Sequence, residues 1–318
     1  MWACKTRSVR ASRDSSANAI RQADDAAPTA LRRILGGQLR QLREAAGISR
    51  QEAAETLRSS ESKISRLELG RVGCRQRDLT DLLTLYGISD PAERDTFFAL
   101  ARRANASGWW QRDHDWLPPW FDTYLGLETA AARIRGYEQG AMPELLQTAD
   151  YARAHIRLAQ PDLPPAMIER RTQLRLRRQK ILTREHPARL WVVVEEAALN
   201  RLIGGTAVWR DQIEHLLRML ERPNIELQIL SDAACGPAMT AGSFTMLRFT
   251  EPDLPDIVYT QQLTGAAYLD KDADLEAYRR LADRLAVYAI PPDRTAQFLT
   301  RLRDSRAPIL DRPAGRSE

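Results

Sequence analysis

Few residues in this 318-residue chain are of types that do covalent or metal chemistry, and their spacing does not suit it. His114, His155, His186 and His215 include no HExxH-type pair that would bring two imidazoles to one helical face around a metal. No Gly-x-Ser-x-Gly elbow presents a serine nucleophile, and no glycine-rich loop is built to cradle phosphate. Cys4, Cys74 and Cys235 are odd in number and far apart, the pattern of free thiols in a reducing compartment. Glu195-Glu196 stands at the end of a candidate strand, where solvated charges are the ordinary finding, and Gly204-Gly205 reads as a turn. Asp211 and His215 lie one helical turn apart on a surface-like helix. The basic run Arg170, Arg171, Arg175, Arg177, Arg178 and Lys180 is interleaved with Leu174, Leu176, Ile181 and Leu182. It reads as an amphipathic helix whose long side chains cover apolar surface. No catalytic residue, metal ligand or cofactor is expected, so the chain reads as a protein that binds and does not catalyse.

Binding chemistry is suggested by where the charge sits. Residues 1–90 hold 16 Lys and Arg against 11 Asp and Glu, a net of +5; the rest holds 31 of each, a net of zero. The whole basic excess therefore falls in the N-terminal quarter, where it is available to neutralise phosphate. No stretch of about 18 apolar residues is present to span a membrane, and the N-terminus lacks the short apolar stretch of a secretory signal. A cytoplasmic location without membrane contact is the expectation.

The elements that would position such a site follow from periodicity and caps. Residues 1–28, rich in Ser, Ala, Arg and Asp, have no hydrophobic period and read as a disordered arm. Leu31, Leu35, Leu39 and Leu42 then recur at helical spacing, and Gly47 closes that helix. Ser49-Arg50-Gln51-Glu52 has the form of a capping box and predicts a short second helix ending near Leu57. Ser60 caps a third helix, with Ile64 and Leu67 inward and Gly70 as its stop. Leu79, Leu82 and Leu83 belong to a fourth ending at Gly87, and Asp90-Pro91 starts a fifth. The tryptophans and prolines at 109–120 mark a boundary or folded junction. Residues 120–184 read as helices with breaks at Pro143 and at 161–165. Strands are predicted at 190–194, 225–230, 243–249 and 256–261, and helices at 206–221, 272–288 and 292–303. The domain boundaries that result are a 29–104 helical domain, a 105–305 α+β domain with a small sheet, and a disordered tail over 306–318.

Two short helices joined by a tight turn over residues 49–70 are a geometry in which the second lies in the DNA major groove while the first braces it. The residues there resemble the Xre, or phage-repressor (lambda-repressor-like), family. Leu39-Arg40-Gln41-Leu42-Arg43-Glu44-Ala45-Ala46-Gly47-Ile48-Ser49 is similar to its first helix and turn, and Ser60 through Gly70 to its recognition helix. The resemblance implies an all-α five-helix domain in which Ser60, Glu61, Ser62 and Arg66 face base edges, with Lys63 beside them. Arg66 would donate to guanine O6 and N7, and Glu61 would accept from cytosine N4. Arg50, Gln51 and Arg71 would meet phosphate, positioning the protein without reading sequence. Arg43 and Glu68 resemble a structural ion pair of the family. Two residues depart from its pattern: Arg58 stands where the turn is often glycine, and Ala53 where leucine is commoner.

A second resemblance spans nearly all of 31–303. Trp109-Trp110, Trp120 through Glu128, Pro143 through Ala152, Glu195 through Leu199, Arg222 through Ile225, Gly242 through Phe244 and Leu263 through Gly265 are similar to an actinobacterial regulator family, of which WhiJ-like proteins are examples. Glu144 departs from its usual glycine. This resemblance implies a transcription regulator with a C-terminal domain of unknown function, often encoded beside a small partner protein. The expected partners are double-stranded DNA, a second copy in a homodimer, and a small protein encoded nearby. The alternative reading is an antitoxin-like module that sequesters that protein and autoregulates.

Overall fold

The structure is a computed structural model, and it describes residues 28–113, 115–234, 236, 239, 241–250 and 254–310. The arm expected over 1–28 lies outside the described residues up to residue 27, as do His114, Cys235 and residues 311–318. The described chain separates into two compact units: one comprises the residues up to Ala130 together with those of the 249–255 segment, the other Ala131–Arg248 and the residues from Asp256 onward.

The first unit is helical. Helix α1 (Pro28–Ala45) buries Leu31, Ile34, Leu35, Leu39 and Leu42, one apolar stripe at helical spacing. Helices α2 (Arg50–Thr56), α3 (Glu61–Glu68), α4 (Gln76–Leu85) and α5 (Pro91–Ala104) follow, each joined by a short turn. Four of the helix ends use one device. Ile48 N–H donates to the Arg43 carbonyl, Ser59 to Ala54, Arg71 to Arg66 and Ile88 to Leu83. This 6→1 bond requires a left-handed residue between, and Gly47, Gly70 and Gly87 supply it at φ of +72°, +65° and +77°. At the fourth end the residue is Arg58, at φ +48°. A further helix, α6 (Pro119–Ala130), packs on α1 in this same unit, and the 3-10 segment at Trp109–Asp113 packs on α6. Trp110 is 1 % exposed, so the aromatic cluster contributes to the core of the first unit. The boundary read at 104/105 falls inside this unit.

The second unit is built on a six-stranded sheet of order β3-β2-β1-β4-β5-β6. Strands β1 (Arg133–Glu138), β2 (Arg189–Glu195) and β3 (Ile225–Leu230) are parallel. Strands β4 (Phe244–Arg248), β5 (Ile257–Gln262) and β6 (Gly265–Leu269) continue antiparallel from β1. Helices α7 (Ala149–Ala159) and α8 (Pro165–Arg178) connect β1 to β2, and α9 (Glu196–Asn200) and α10 (Gly205–Met219) connect β2 to β3. One face of the sheet, with Tyr137, Val193, Phe244, Met246 and Val258, packs on Leu275, Ala282 and Leu285 of α11 (Asp272–Tyr288). Val192 and Val194, which point the other way, are buried as well. Burial on both faces accounts for the unbroken apolar run of β2. Helix α12 (Pro292–Leu310) covers β3 and α10.

Two expectations are corrected, and one strand not expected is added. Residues 133–138, placed among helices by the sequence reading, form the central strand β1. Their two arginines and Gly136 hide a short apolar alternation, and a strand glycine weakens the pattern. Residues 265–269 form β6, whose Gly-Ala-Ala start has little intrinsic strand preference. The helix α12 runs on through 306–310, placed in the tail by the sequence, as far as Leu310.

Candidate nucleic-acid interface

The site is built from α2, α3 and the turns on either side of them. Ser49 accepts a hydrogen bond from Glu52 N–H at 3.1 Å, and the Glu52 carboxylate accepts from Ser49 N–H at 2.7 Å. This is the capping box in full, and such a cap stabilises a helix by about 1 kcal/mol. Ser60 caps α3 by accepting from Lys63 N–H at 3.3 Å. Ala53 and Ala54 of α2 and Ile64 and Leu67 of α3 are buried together with α1 side chains, fixing the rotation of α3 about its axis.

That rotation sets which residues face outward. Glu61, Ser62 and Arg66 are exposed on α3, on the side away from the buried Ile64 and Leu67. Arg66 spends only its Nε within the fold, donating to the Ser62 carbonyl at 3.3 Å. Glu61, Ser62 and Arg71 are solvent-facing, and among the described residues their side chains make no hydrogen bond or ion pair. Lys63 lies at the flank: its ammonium pairs with Asp78 of α4 at 2.7 Å, leaving its side chain 32 % exposed. Ser60, too, is exposed while its hydroxyl caps the helix. Of the residues expected at base edges, Glu61, Ser62 and Arg66 therefore share an open face. Ser60 and Lys63 border it with a structural bond already made.

A buried ion pair locks α1 to α3 behind this face. Arg43 Nε meets Glu68 Oε1 at 2.5 Å, and both residues are buried. A second guanidinium nitrogen of Arg43 donates to the Ile48 carbonyl at 2.8 Å, so the same side chain also ties down the turn that leads to α2. The hydrogen bond to Glu68, working against burial, raises the Arg43 guanidinium above its ordinary value. Arg50 adds a bond to Glu68 Oε2 at 3.1 Å while its side chain stays 42 % exposed. Gln51 is exposed and donates to Glu55 at 3.2 Å. Arg50, Gln51 and Arg71 are all exposed.

Two further arginines, not singled out by the sequence, are exposed soon after α3. Arg75 and Arg77 flank the start of α4, and neither has an ion pair among the described residues. The signal for them is the spacing Arg71, Arg75, Arg77 immediately after the third helix, three cations with only Asp78 adjacent. Lys63 already holds that aspartate. Cys74 between them is buried, and burial pushes its thiol up to about 12, so it is no nucleophile.

A capped bracing helix, a second helix with an open polar face and a rim of arginines define a helix-turn-helix DNA-binding domain. Residues 34–97 match the family model described as Helix-turn-helix domain. Residues 121–301 match the one described as Domain of unknown function (DUF5753), and because this match spans more than half of the chain, the chain belongs to that family. No curated protein and no solved structure matches it. No helix among the described residues is long and apolar enough to cross a membrane, and no group of His, Cys, Asp and Glu among them could hold a metal ion.

Proposed function

We propose that the chain is a dimeric, sequence-specific transcription regulator of the Xre type, akin to the WhiJ-like actinobacterial regulators and acting in the cytoplasm. The open face of α3 carries this reading: Arg66, Glu61 and Ser62 are exposed on a helix whose rotation is fixed from behind by Ile64, Leu67 and the Arg43–Glu68 pair. In the complex α3 enters the major groove. Arg66 reads guanine through O6 and N7, Glu61 reads cytosine N4, and Ser60, Ser62 and Lys63 contact neighbouring base edges. Arg50, Gln51 and Arg71 bind phosphate, and Arg75 and Arg77 join them. The second unit, over roughly 131–305, supplies the dimer contact and a surface for an effector or a small partner protein.

Helix-turn-helix dimers bind half-sites about one turn of DNA apart, so the operator is expected to be a pseudo-palindrome. Hydroxyl-radical footprinting on DNA upstream of the gene tests this. Two protected half-sites related by a two-fold axis are expected. A single asymmetric half-site protected by one protomer would overturn the dimeric part of the reading.

A further inference from the structure

The arginines proposed to bind phosphate after α3 share their stretch with one acid. Between Gly70 and Thr80 the chain holds Arg71, Arg75 and Arg77 against a single carboxylate, Asp78. A carboxylate among phosphate-binding cations opposes attraction to the DNA backbone and so lowers non-specific affinity. Asp78 directs its charge within the unit: it accepts from the Lys63 ammonium of α3 at 2.7 Å, and its side chain is 15 % exposed. As an acid in the first turn of α4 it also favours that helix start, but this effect is local and needs no partner on α3. Lys63 keeps 32 % of its side chain in solvent and lies three residues before Arg66, so the two are neighbours on the surface of α3. A lysine ammonium has three donors, and Asp78 takes one. Among the described residues no other group bonds that ammonium.

We infer that Asp78 is a specificity-determining residue: it turns Lys63 from a free cation into a fixed, charge-compensated donor for the O6 and N7 acceptors of a guanine. This rests on the reading of α3 as the recognition helix and adds a residue of α4 to it. An unpaired lysine is a point charge on a flexible four-carbon stem, and phosphate attracts it whatever the sequence. Paired with Asp78, Lys63 presents no net charge to the backbone and adds little to non-specific attraction. Its position is set in advance by bonds to two elements. The Lys63 N–H donates to the Ser60 hydroxyl at 3.3 Å, and the ammonium is tied to α4. A donor already held in place loses less freedom on binding, and only a base edge that presents acceptors at that place gains from it. Lys63 is a reader because of Asp78, and Asp78, without touching a base, is a positioning residue.

The test uses full-length protein titrated by fluorescence anisotropy onto the gene's own upstream DNA and onto a scrambled duplex. Asp78→Asn, Lys63→Met and the double variant are compared with wild type. Lys63→Met is expected to bind upstream DNA about fivefold or more weakly, and scrambled DNA within about twofold of wild type. Asp78→Asn frees the ammonium, so it should bind scrambled DNA more tightly than wild type and discriminate less. That gain should grow about threefold between about 200 and about 50 mM salt, the effect of one added phosphate contact. In the Lys63→Met background the same substitution should lose most of this gain. A purely structural role for Asp78 would move neither the salt dependence nor the coupling to Lys63. Wild type without preference for upstream DNA overturns the recognition reading and this inference together. Where wild type does discriminate, either of two results overturns the role of Asp78 alone: Lys63→Met weakening both DNAs equally, or Asp78→Asn gaining as much without Lys63 as with it. Should Asp78→Asn fail to fold, the Lys63→Met comparison decides by itself.

Discussion

Arg43 and Glu68 face each other 25 residues apart in sequence and almost out of contact with water. Such a pair contributes little over well-packed apolar residues, but removing one member strands a buried charge. Glu68→Gln should therefore cost about 3–5 kcal/mol in urea unfolding, with α3 loosened against α1. A loss under 1 kcal/mol would mean that water reaches the pair. In the second unit, burial and the neighbouring Glu144 carboxylate raise the Glu138 carboxyl to about 8, against the opposing pull of the Ser243 hydroxyl, Arg175 and Arg178. Glu144 lies the other way. Burial disfavours its charge, but Arg175 and Arg178 outweigh that and hold it at about 2. The folded chain keeps the Glu138 proton that an unfolded chain gives up near 4.5, so stability falls as pH rises from about 4.5 to about 8 and is level above. Glu138→Gln should remove that slope, seen as urea midpoints of wild type and variant diverging towards pH 8. A constant offset across the range would show that Glu138 ionises normally in the fold.

Among the elements, those legible in the sequence announced their own ends. Ser49, Ser60 and Asp90 at helix starts and Gly47, Gly70 and Gly87 at helix ends are local chemistry, and the structure shows each at its station. Arg58 stands at a turn that favours glycine, and it does adopt the left-handed conformation. What escaped depends on neighbours far off in sequence. Strand β1 is held between β2 and β4, and its Arg135 lies 4.7 Å over the Trp191 ring while pairing with Asp283 of α11 at 2.8 Å. No local pattern carries that information. Likewise, the run at 170–180 reads as an amphipathic helix whose long side chains cover apolar surface, and the sequence does not reveal that Arg175 and Arg178 pair with Glu144, 31 and 34 positions earlier. Gly36 was silent for the same reason: a methyl group there would stand 2.6 Å from the Glu68 carbonyl oxygen, where α1 crosses the end of α3. Gly36→Ala is expected to destabilise the first unit by about 1–3 kcal/mol despite alanine's better helix propensity. Thermal unfolding would decide it; a raised melting temperature would mean that the crossing is looser than drawn.

At the scale of the whole molecule, the basic excess lies in the first 90 residues, and the arginines that carry it include the rim around α3. Residues 91–318 carry no net charge, so the proposed division gives DNA contact to the helical unit and association to the sheet unit. Phosphate contacts of this kind make affinity fall steeply with salt, while the base-reading residues decide which DNA is preferred. The most direct measurement is fluorescence-anisotropy binding of wild type and Arg66→Ala to the gene's own upstream DNA and to a scrambled sequence, at two salt concentrations. Wild type is expected to bind the upstream DNA tightly and in a salt-sensitive way. Arg66→Ala is expected to lose about 1–3 kcal/mol of preference over scrambled DNA while keeping its salt dependence. Wild-type binding that is equally weak on both DNAs, or a variant that discriminates as well as wild type, would contradict this reading.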